Sequence, residues 1–389
     1  MKNKVLIIFK YPRANWNEPI INKFSNYYDT EYLYINNYKN KNYKELVKEI
    51  NNLIKLKDIE IAVFDVDYFK FINFFFIENI NVKKKILWTG DDFELHEINS
   101  ITASACDLVL TTCPLSALKY REKGYDSLVL HGEYGKINNN QNLKKEIDVL
   151  FFGNITPDRK DILDYITKEG INLKNVGHES GSHGIAENEL VKLISKSKII
   201  INLSKSRTSS VKNYSSENIY KFYYQYKGRL IKAGLNGVAC VSEYSPGQEI
   251  LFKDDEVPTF FSKKECVDIL KKLLNDNELL TKYTKKFTSK VCELFEDKKV
   301  FEPVYNKIEK INRKKIKLIK IPYWYLRISA KSIMLRNIKL STLIKIIFQF
   351  NIIIKLINNS NFVVKFLIIL ESIINIFWYS IVFTLKSKK

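Results

Sequence analysis

Short runs of apolar residues alternate with longer amphipathic stretches from the start of the chain. The runs KVLIIF, IEIAVFD, KKILWT, DLVLTT and SLVLHG have the length of strands, and each contains at least three consecutive apolar residues. The stretches between them, such as YKELVKEINNLIKL, place apolar residues three and four apart, which is the spacing of one helix face. Apolar strands that alternate with helices are typical of a parallel sheet covered on both sides. We therefore predict a doubly wound, Rossmann-like α/β domain over residues 1–131.

This pattern breaks once and then restarts. Residues 132–146, GEYGKINNNQNLKKE, are polar and rich in Asn, which is typical of a linker. Strand-length and helix-length runs then alternate again, from IDVLFFG through KIIINLS and VACVS to VPTFF. They predict a second doubly wound domain over residues 147–312. Because such sheets bind ligands at the carboxyl ends of their strands, we expect the two domains to face a cleft that holds the site.

A basic, apolar tail follows over residues 313–389 and is expected to be helical. It contains 15 Lys or Arg and one acid, so it carries +14 of the net charge of +20. Such asymmetry indicates an anionic partner for the tail, and the surface of a membrane is the best match. We expect helices lying in the membrane plane, with a single span over residues 366–385 or a helical subdomain packed on the body as alternatives. Because the body carries only +6, no nucleic-acid partner is expected.

The cysteines and the first apolar run bear on cellular location. The five cysteines show no C-x-x-C spacing and lie in apolar or helical contexts, which predicts reduced thiols. The run KVLIIF is too short for the core of a signal peptide. We expect a cytoplasmic protein that is peripheral or monotopic on the inner face of the cell membrane.

One stretch, GRLIKAGLNGVACVSEYSPGQEILF at residues 228–252, combines several signals for a ligand site. It predicts a helix, a glycine stop, a short buried strand and a new helix. Ser245 is the expected N-cap, with Pro246 in the first turn and Gln248 at the spacing of a capping box. Gly247 leaves the first turn without a side chain, so that an anion can reach free N–H groups. A capped helix without a ligand is the alternative.

Basic residues follow other strand ends of the second domain. Gly153 ends the strand IDVLFFG, and Arg159 lies in the first turn of the next helix, where a cation opposes the helix dipole and needs another partner. Lys205 and Arg207 follow KIIINLS, and Arg229 begins the helix before VACVS. Together these residues predict an anion-lined crevice for a phosphate-bearing small molecule. Solvated surface cations are the alternative.

In order and spacing, these motifs resemble the GT-B glycosyltransferases, most of all the "group 1" C-terminal domain and the CgeB-like spore-coat proteins. The resemblance covers roughly residues 85–295. It rests on IDVLFFGNITPDR, SKIIINLSKS and KGRLIKAGLNGVACVSEYSPGQEILF, and in the first half on WTGDDFELHEI and CDLVLTTCPLSALKYREKGYDSLVLHGEYG. It implies a bacterial enzyme of surface polysaccharide assembly that moves a sugar from a nucleotide-activated donor to a glycan or lipid-linked glycan. It also implies a metal-independent reaction without a cofactor other than the nucleotide-sugar co-substrate.

The resemblance also implies roles for individual residues. Relatives carry Glu, which holds the donor ribose, where this chain has Lys232, and a second acid where it has Tyr224. The paired glutamates are therefore missing, which leaves the choice between inverting and retaining transfer open; Glu249 is a substitute for the hydroxyl contact. The implied donor-binding residues are Gly153, Arg159, Lys205, Arg207, Arg229, Lys232, Ser245, Gly247, Gln248 and Glu249.

The catalytic base of an inverting transfer is expected to be a carboxylate or an imidazole near the acceptor hydroxyl. Asp91 and Asp92 follow the strand KKILWT, and His131 ends SLVLHG beside the linker. N-capping of the next helix is the alternative for the two aspartates, and a hinge role is the alternative for the histidine. His178 and His183, in GHESGSHG, lack Cys or acidic partners at fixed spacing, so no metal site is predicted there.

Two other functions stay open at this level. One is a GT-B body that has lost catalysis and serves as a binding or scaffold protein, which the residues Lys232 and Tyr224 favour. The other is a nucleotide-sugar epimerase, which shares the architecture but has no evident use for a membrane tail.

Overall fold

The computed structural model describes residues 2–12, 14–38, 40–66, 71–90, 92–132, 143–176, 185–205, 227–311, 321–326 and 328–329. The first group of elements is β1 (Lys4–Phe9), α1 (Ala14–Tyr27), β2 (Asp29–Tyr34), a 3₁₀ turn (Ile35–Tyr38), α2 (Tyr43–Lys57), β3 (Ile61–Asp65), α3 (Phe74–Glu78), β4 (Lys84–Thr89), α4 (Asp92–Ala103), β5 (Leu108–Thr111), α5 (Pro114–Glu122) and β6 (Ser127–Val129). The second group is β7 (Ile147–Phe152), α6 (Pro157–Lys168), β8 (Leu173–Val176), α7 (Glu187–Ser195), β9 (Ser197–Asn202), α8 (Arg229–Leu235), β10 (Ala239–Glu243), α9 (Gln248–Leu251), β11 (Thr259–Phe260), α10 (Lys263–Asn275), α11 (Asn277–Phe295) and α12 (Asp297–Glu309).

The first sheet has six strands in the order β2-β1-β3-β4-β5-β6. Its central strands pair in parallel, with residues 5–8 of β1 opposite residues 61–64 of β3. Both segments are fully buried, since their side chains are apolar on both faces of the sheet. Parallel strands need a long crossover connection, which is usually an α-helix, and these helices cover the faces of the sheet.

The second sheet has five strands in the order β11-β10-β9-β7-β8. Its strands also pair in parallel. The chain moves from β7 outward to β8 and then returns to place β9 on the other side of β7. This reversal is a topological switch point, and it opens a crevice beyond the carboxyl ends of β7 and β9. The prediction of two parallel, helix-covered sheets is confirmed.

The described residues cluster into two compact units. One contains residues 2–89 and 97–109 with the described residues from 311 onward, and the other contains the described residues of 90–96 and 110–310. Most of the predicted linker, 133–142, lies outside the described residues.

The beginning of the predicted tail is part of the first unit. The Tyr325 side chain is 1% exposed, and its hydroxyl accepts a hydrogen bond from the Phe74 amide at 2.8 Å. The same hydroxyl lies 2.8 Å from Thr102 Oγ1. Leu326 and Ser329 are also buried. For these residues the expectation of a membrane-bound tail is wrong, because they are core residues of the α/β body.

The rest of the predicted tail, residues 330–389, lies outside the described residues, and so does the apolar segment 366–385. Among the helices that the structure does describe, none combines the length and the apolar character needed to cross a bilayer.

Candidate functional site

Arg159 links the two strand ends at the switch point of the second sheet. It lies in the first turn of α6, and its side chain is buried. Its Nη1 donates to the carbonyl oxygen of Asn154 at 2.7 Å, and its Nη2 donates to that of Lys205 at 3.0 Å. Because the first carbonyl follows β7 and the second follows β9, the guanidinium joins both edges of the crevice. This placement agrees with the prediction that Arg159 has a task other than solvation.

Arg229, the first residue of α8, brings a second buried guanidinium to these strand ends. Its Nη2 donates to the carbonyl oxygen of Leu203 at 3.2 Å, and its Cζ lies 5.1 Å from the centroid of the Phe151 ring. Gly153 lies beside this guanidinium, and its φ of +125° is one that side chains rarely adopt; an added Cβ would be in ordinary van der Waals contact with Arg229 Cζ at 3.7 Å. Among the described residues, Arg229 Nε has no hydrogen-bond partner.

Glu243, the last residue of β10, is a buried carboxylate that the sequence interpretation missed. Its Oε2 accepts hydrogen bonds from the backbone amides of Ser204 at 2.8 Å and Lys205 at 3.0 Å. Burial raises the pKa of Glu243, while the two amides and Arg159 act in the opposite direction. A signal was present in VACVSE, where a charged residue ends an otherwise apolar strand at the edge that binds ligands.

Positive charge dominates this cluster. Burial, and after it the neighbouring charge of Arg159, lower the pKa of Arg229 to about 9, so the two guanidinium groups repel each other. Glu243 is the buried carboxylate that faces both. Lys205 adds a third cation, with its Nζ 3.3 Å from a carboxylate oxygen of the mostly exposed Asp158. Among the described residues, this site brings two buried guanidinium groups together with one buried carboxylate, a balance of charge that favours the binding of an anion.

The turn after β10 differs from the predicted capping box. The helix α9 is a single turn, Gln248–Leu251, and its N-cap is Gly247 with a φ of +92° and no side-chain cap. Ser245 is therefore not the N-cap, and its Oγ lies 3.4 Å from Gln248 Oε1 instead. The predicted start of this helix at Pro246 is wrong, because the helix begins at Gln248. The turn needs a left-handed residue at Gly247 before the helix begins.

The space beside Gly247 is filled by the protein itself. A Cβ added at Gly247 would lie 3.0 Å from the backbone nitrogen of Leu115 and 3.2 Å from its Cβ. The Gly247 amide donates to Glu249 Oε2 at 3.0 Å, within the same turn. The missing side chain thus makes room for the start of α5, and the predicted contact of a diphosphate with this amide is not supported by the geometry.

Gln248 is a structural residue in a buried polar network. Its Oε1 accepts from Ser242 Oγ at 2.9 Å, and its Nε2 donates to Thr259 Oγ1 at 3.1 Å. Ser242 Oγ also accepts from Asn202 Nδ2 at 2.9 Å. The predicted donor contact of Gln248 is replaced by these bonds, which join β9, β10 and β11 near their carboxyl ends.

Asp92 belongs to a closed polar cluster. It is fully buried; its Oδ1 accepts from the Tyr120 hydroxyl at 2.7 Å, and its Oδ2 accepts from Thr111 Oγ1 at 2.8 Å. The His96 ring lies 4.6 Å from the Tyr120 ring, and burial lowers the pKa of His96 to about 4. A general base must reach the acceptor hydroxyl. The prediction of Asp92 as the base is therefore corrected: the residue ties α4 to β5 and α5.

Other predicted site residues keep the status of predictions. His131 is buried directly after Leu130, whose amide donates to the Thr111 carbonyl at 2.8 Å. Lys232 lies three residues after Arg229 on α8 and is partly exposed. Asp91, Arg207 and the loop with both candidate metal-binding histidines, 177–184, lie outside the described residues. Within the described residues, no group of three or more His, Cys, Asp or Glu is arranged to hold a metal ion.

Comparisons with known proteins agree with this architecture. Residues 142–293 match the family model of glycosyl transferase-like proteins. This range contains Arg159, Lys205, Arg229 and Glu243, which we call the arginine cluster. No curated protein matches the sequence.

Solved structures share the fold at low identity. HepE of Anabaena, solved with UDP and glucose, is 10% identical with a TM-score of 0.55, over 79% of this chain and 100% of HepE. An α-glucosyltransferase solved with UDP and DNA is 11% identical with a TM-score of 0.51, over 80% of this chain and all of that one. TarM is 14% identical with a TM-score of 0.51 over 69% of this chain. The match spans 58% of TarM, less than two thirds of its length. These similarities place the chain in the two-domain GT-B fold.

Proposed function

We propose that the protein is a glycosyltransferase that binds the diphosphate of a nucleotide-sugar donor at Arg159 and Arg229. The observation that carries the proposal is the pair of buried guanidinium groups at the switch point, with the carboxylate of Glu243 beside them. The glycosyl transferase-like family match covers all three residues. HepE and the α-glucosyltransferase, which share the fold, were both solved with UDP.

The proposed chemistry follows from the charge of the leaving group. When the bond between sugar and diphosphate breaks, negative charge builds up on the departing diphosphate. Guanidinium groups held in place by backbone carbonyls stabilise that charge without reorganisation, and planar Arg donors match phosphate oxygens well. Arg159 and Arg229 are held in this way by carbonyls of the loops after β7 and β9. Lys205 adds positive charge at the same edge.

The finer features of the reaction are part of the proposal. The acceptor is a glycan or lipid-linked glycan of a bacterial surface polysaccharide, and residues 330–389 hold the enzyme to the inner face of the membrane. His131 and Asp91 are the remaining candidates for the base once Asp92 is assigned to the core. The donor is bound without a metal ion, since cations of the chain take over the diphosphate charge.

The test is calorimetric titration of the purified protein with UDP, GDP and the matching nucleosides. At least one nucleoside diphosphate should bind, and its nucleoside should bind far more weakly. Arg159→Ala and Arg229→Ala should each weaken binding by about 10- to 100-fold, the equivalent of roughly 1.5–3 kcal/mol for charge-assisted hydrogen bonds.

A matched control is Arg121→Ala, because Arg121 also donates to a backbone carbonyl, that of Ser127 at 3.4 Å, but lies on α5. Its variant should bind the nucleotide as the parent does. A folded protein that binds no nucleoside diphosphate would argue for a scaffold without catalysis.

A further inference from the structure

A pair of stacked aromatic rings lies at the carboxyl ends of β10 and β11. The parallel register pairs Glu243 with Phe260, so the next residues, Tyr244 and Phe261, stand side by side. Their ring centroids are 4.9 Å apart, and the ring planes differ by 27°. Phe260 is 1% exposed, whereas Phe261 is 72% exposed. The second of two consecutive phenylalanines is therefore held outside the core, and we call the pair of Tyr244 and Phe261 the aromatic platform.

The backbone on both sides of the aromatic platform is fixed. The Tyr244 amide donates to the Phe260 carbonyl at 2.9 Å, and the Tyr244 carbonyl accepts from Ser204 Oγ at 2.9 Å. The Phe261 amide donates to Glu265 Oε2 at 2.8 Å. A surface held in place before a ligand arrives loses little conformational freedom on binding. Ser204 also joins the platform to Glu243 of the arginine cluster.

Two carboxylates of the described residues lie beside the aromatic platform. Glu249 Oε1 lies 3.5 Å from the Tyr244 hydroxyl, and Glu265 Oε2 accepts from the Phe261 and Ser262 amides. Both glutamates are exposed. The nearby cation, Lys263, is engaged elsewhere: its Nζ lies 3.0 Å from both carboxylate oxygens of Asp161.

We propose that the aromatic platform binds a sugar ring of the acceptor glycan. The flat C–H face of a sugar ring stacks on an exposed aromatic ring, and carboxylates beside it accept hydrogen bonds from the sugar hydroxyls. The same carboxylates repel phosphate groups and anionic lipid headgroups, so a neutral saccharide fits this surface better than a membrane does. The assignment of this sugar ring to the acceptor glycan rests on the proposed function as a glycosyltransferase.

The test is saturation-transfer NMR on the full chain with maltotriose and with triacetylchitotriose, both without donor. Ring C–H protons of at least one trisaccharide should receive saturation from the protein. Phe261→Ala should weaken this binding by about fivefold, whereas Phe261→Trp should retain it. Tyr32→Ala, which removes an exposed ring of β2, is the control and should leave it unchanged. UDP affinity should be equal in all these variants.

Several outcomes would overturn the proposal. Saccharide binding that Phe261→Ala leaves intact, or no response to either trisaccharide, would remove the sugar from the platform. Phe261-dependent sedimentation with phosphatidylglycerol vesicles, with no saccharide response, would assign the platform to a membrane. If trisaccharides bind through Phe261 but no nucleotide binds at the arginines, saccharide binding at the aromatic platform is supported and the proposed function is rejected. If a nucleotide binds at the arginines but no trisaccharide binds through Phe261, only the role of the aromatic platform is rejected.

Discussion

Asp92 and Arg229 are both buried ionisable residues, but they differ in the hydrogen-bond partners and charges that surround them. Both oxygens of Asp92 accept short hydrogen bonds from hydroxyl groups of Thr111 and Tyr120. The Arg229 guanidinium instead donates to one backbone carbonyl and lies near an aromatic ring, between the repelling charge of Arg159 and the attracting charge of Glu243. Within the described part of the chain, hydroxyl donors surround the first charge, whereas the second site brings two guanidinium groups together with the carboxylate of Glu243.

Under the proposed function, this difference separates Asp92, which stabilises the fold, from Arg229, which binds the donor. A satisfied buried carboxylate contributes to stability and gains nothing from a further partner. A buried cation next to another cation costs stability, and a bound anion offsets that cost. Replacing the two residues should therefore have opposite effects on stability and on binding.

The largest effect is expected for Arg229→Met, which keeps an unbranched side chain and removes the charge. UDP affinity should fall by about 10- to 100-fold, because charge-assisted hydrogen bonds are lost. The free energy of unfolding in urea should stay the same or rise, since a buried charge that lacks a full set of partners is removed. A variant that binds UDP normally would show that Arg229 is a structural residue like Asp92.

The reverse pattern is expected for Asp92→Ala. Without the carboxylate, the hydroxyl groups of Tyr120 and Thr111 lose their acceptor, and the free energy of unfolding should fall by about 1–3 kcal/mol. UDP affinity should stay within a factor of two of the parent. Asp92→Asn, which keeps an acceptor oxygen, is the matched variant and should lose less. A stable Asp92→Ala protein with abolished turnover would restore Asp92 as the base.

The packing of α8, the helix that begins with Arg229, against α11 gives a further test of the comparison between Asp92 and Arg229. Gly234, on the same helix α8, lies so close to α11 that an added Cβ would come within 3 Å of the Val291 side chain. Gly234→Ala should therefore cost about 1–3 kcal/mol of stability through overpacking. Adding Val291→Ala should recover part of the loss, as a double-mutant cycle can show. Additive losses would mean that the two helices do not touch at this point.

The smallest effect is expected for Glu243→Gln, which keeps an acceptor for the Ser204 and Lys205 amides. The folded protein holds a proton on Glu243 more tightly than the unfolded chain does, since burial raises the pKa of Glu243. The contribution of Glu243 to the free energy of unfolding therefore falls as the pH rises from the ordinary carboxyl pKa to the raised pKa of the folded protein. Above the raised pKa this contribution is constant. The difference in stability between variant and parent should grow in favour of the variant over that window. Equal pH profiles in urea unfolding would contradict the raised pKa.

The sequence predicts the sheets well because local patterns determine them. Short continuous apolar runs such as KIIINLS are typical of buried strands. A cation in the first turn of a helix, as at Arg159, opposes the helix dipole and needs another partner. Both arguments use residues within a few positions of each other.

The missed or wrong predictions depend on partners far along the chain. Asp92 follows a strand, where catalysis and structure are equally compatible with the pattern, and Tyr120 decides between them from 28 positions away. Gly247 was expected to admit a ligand, but Leu115, from a distant part of the sequence, occupies that space. Glu243 binds amides 38 and 39 residues earlier, which no local pattern reveals.

The position of Tyr325 has a consequence for synthesis on the ribosome. Its partner Thr102 lies 223 residues earlier in the chain, yet both belong to the first unit. At 5–20 residues per second, roughly 10–45 s pass between the synthesis of the two. During that interval the Thr102 hydroxyl, the Phe74 amide and the apolar groups around them lack the residue that covers them. We expect a nascent chain stalled before residue 321 to be cleaved by protease within the first unit faster than the released protein. Although most of the first unit is synthesised early, its folding is complete only after residue 325 has been made.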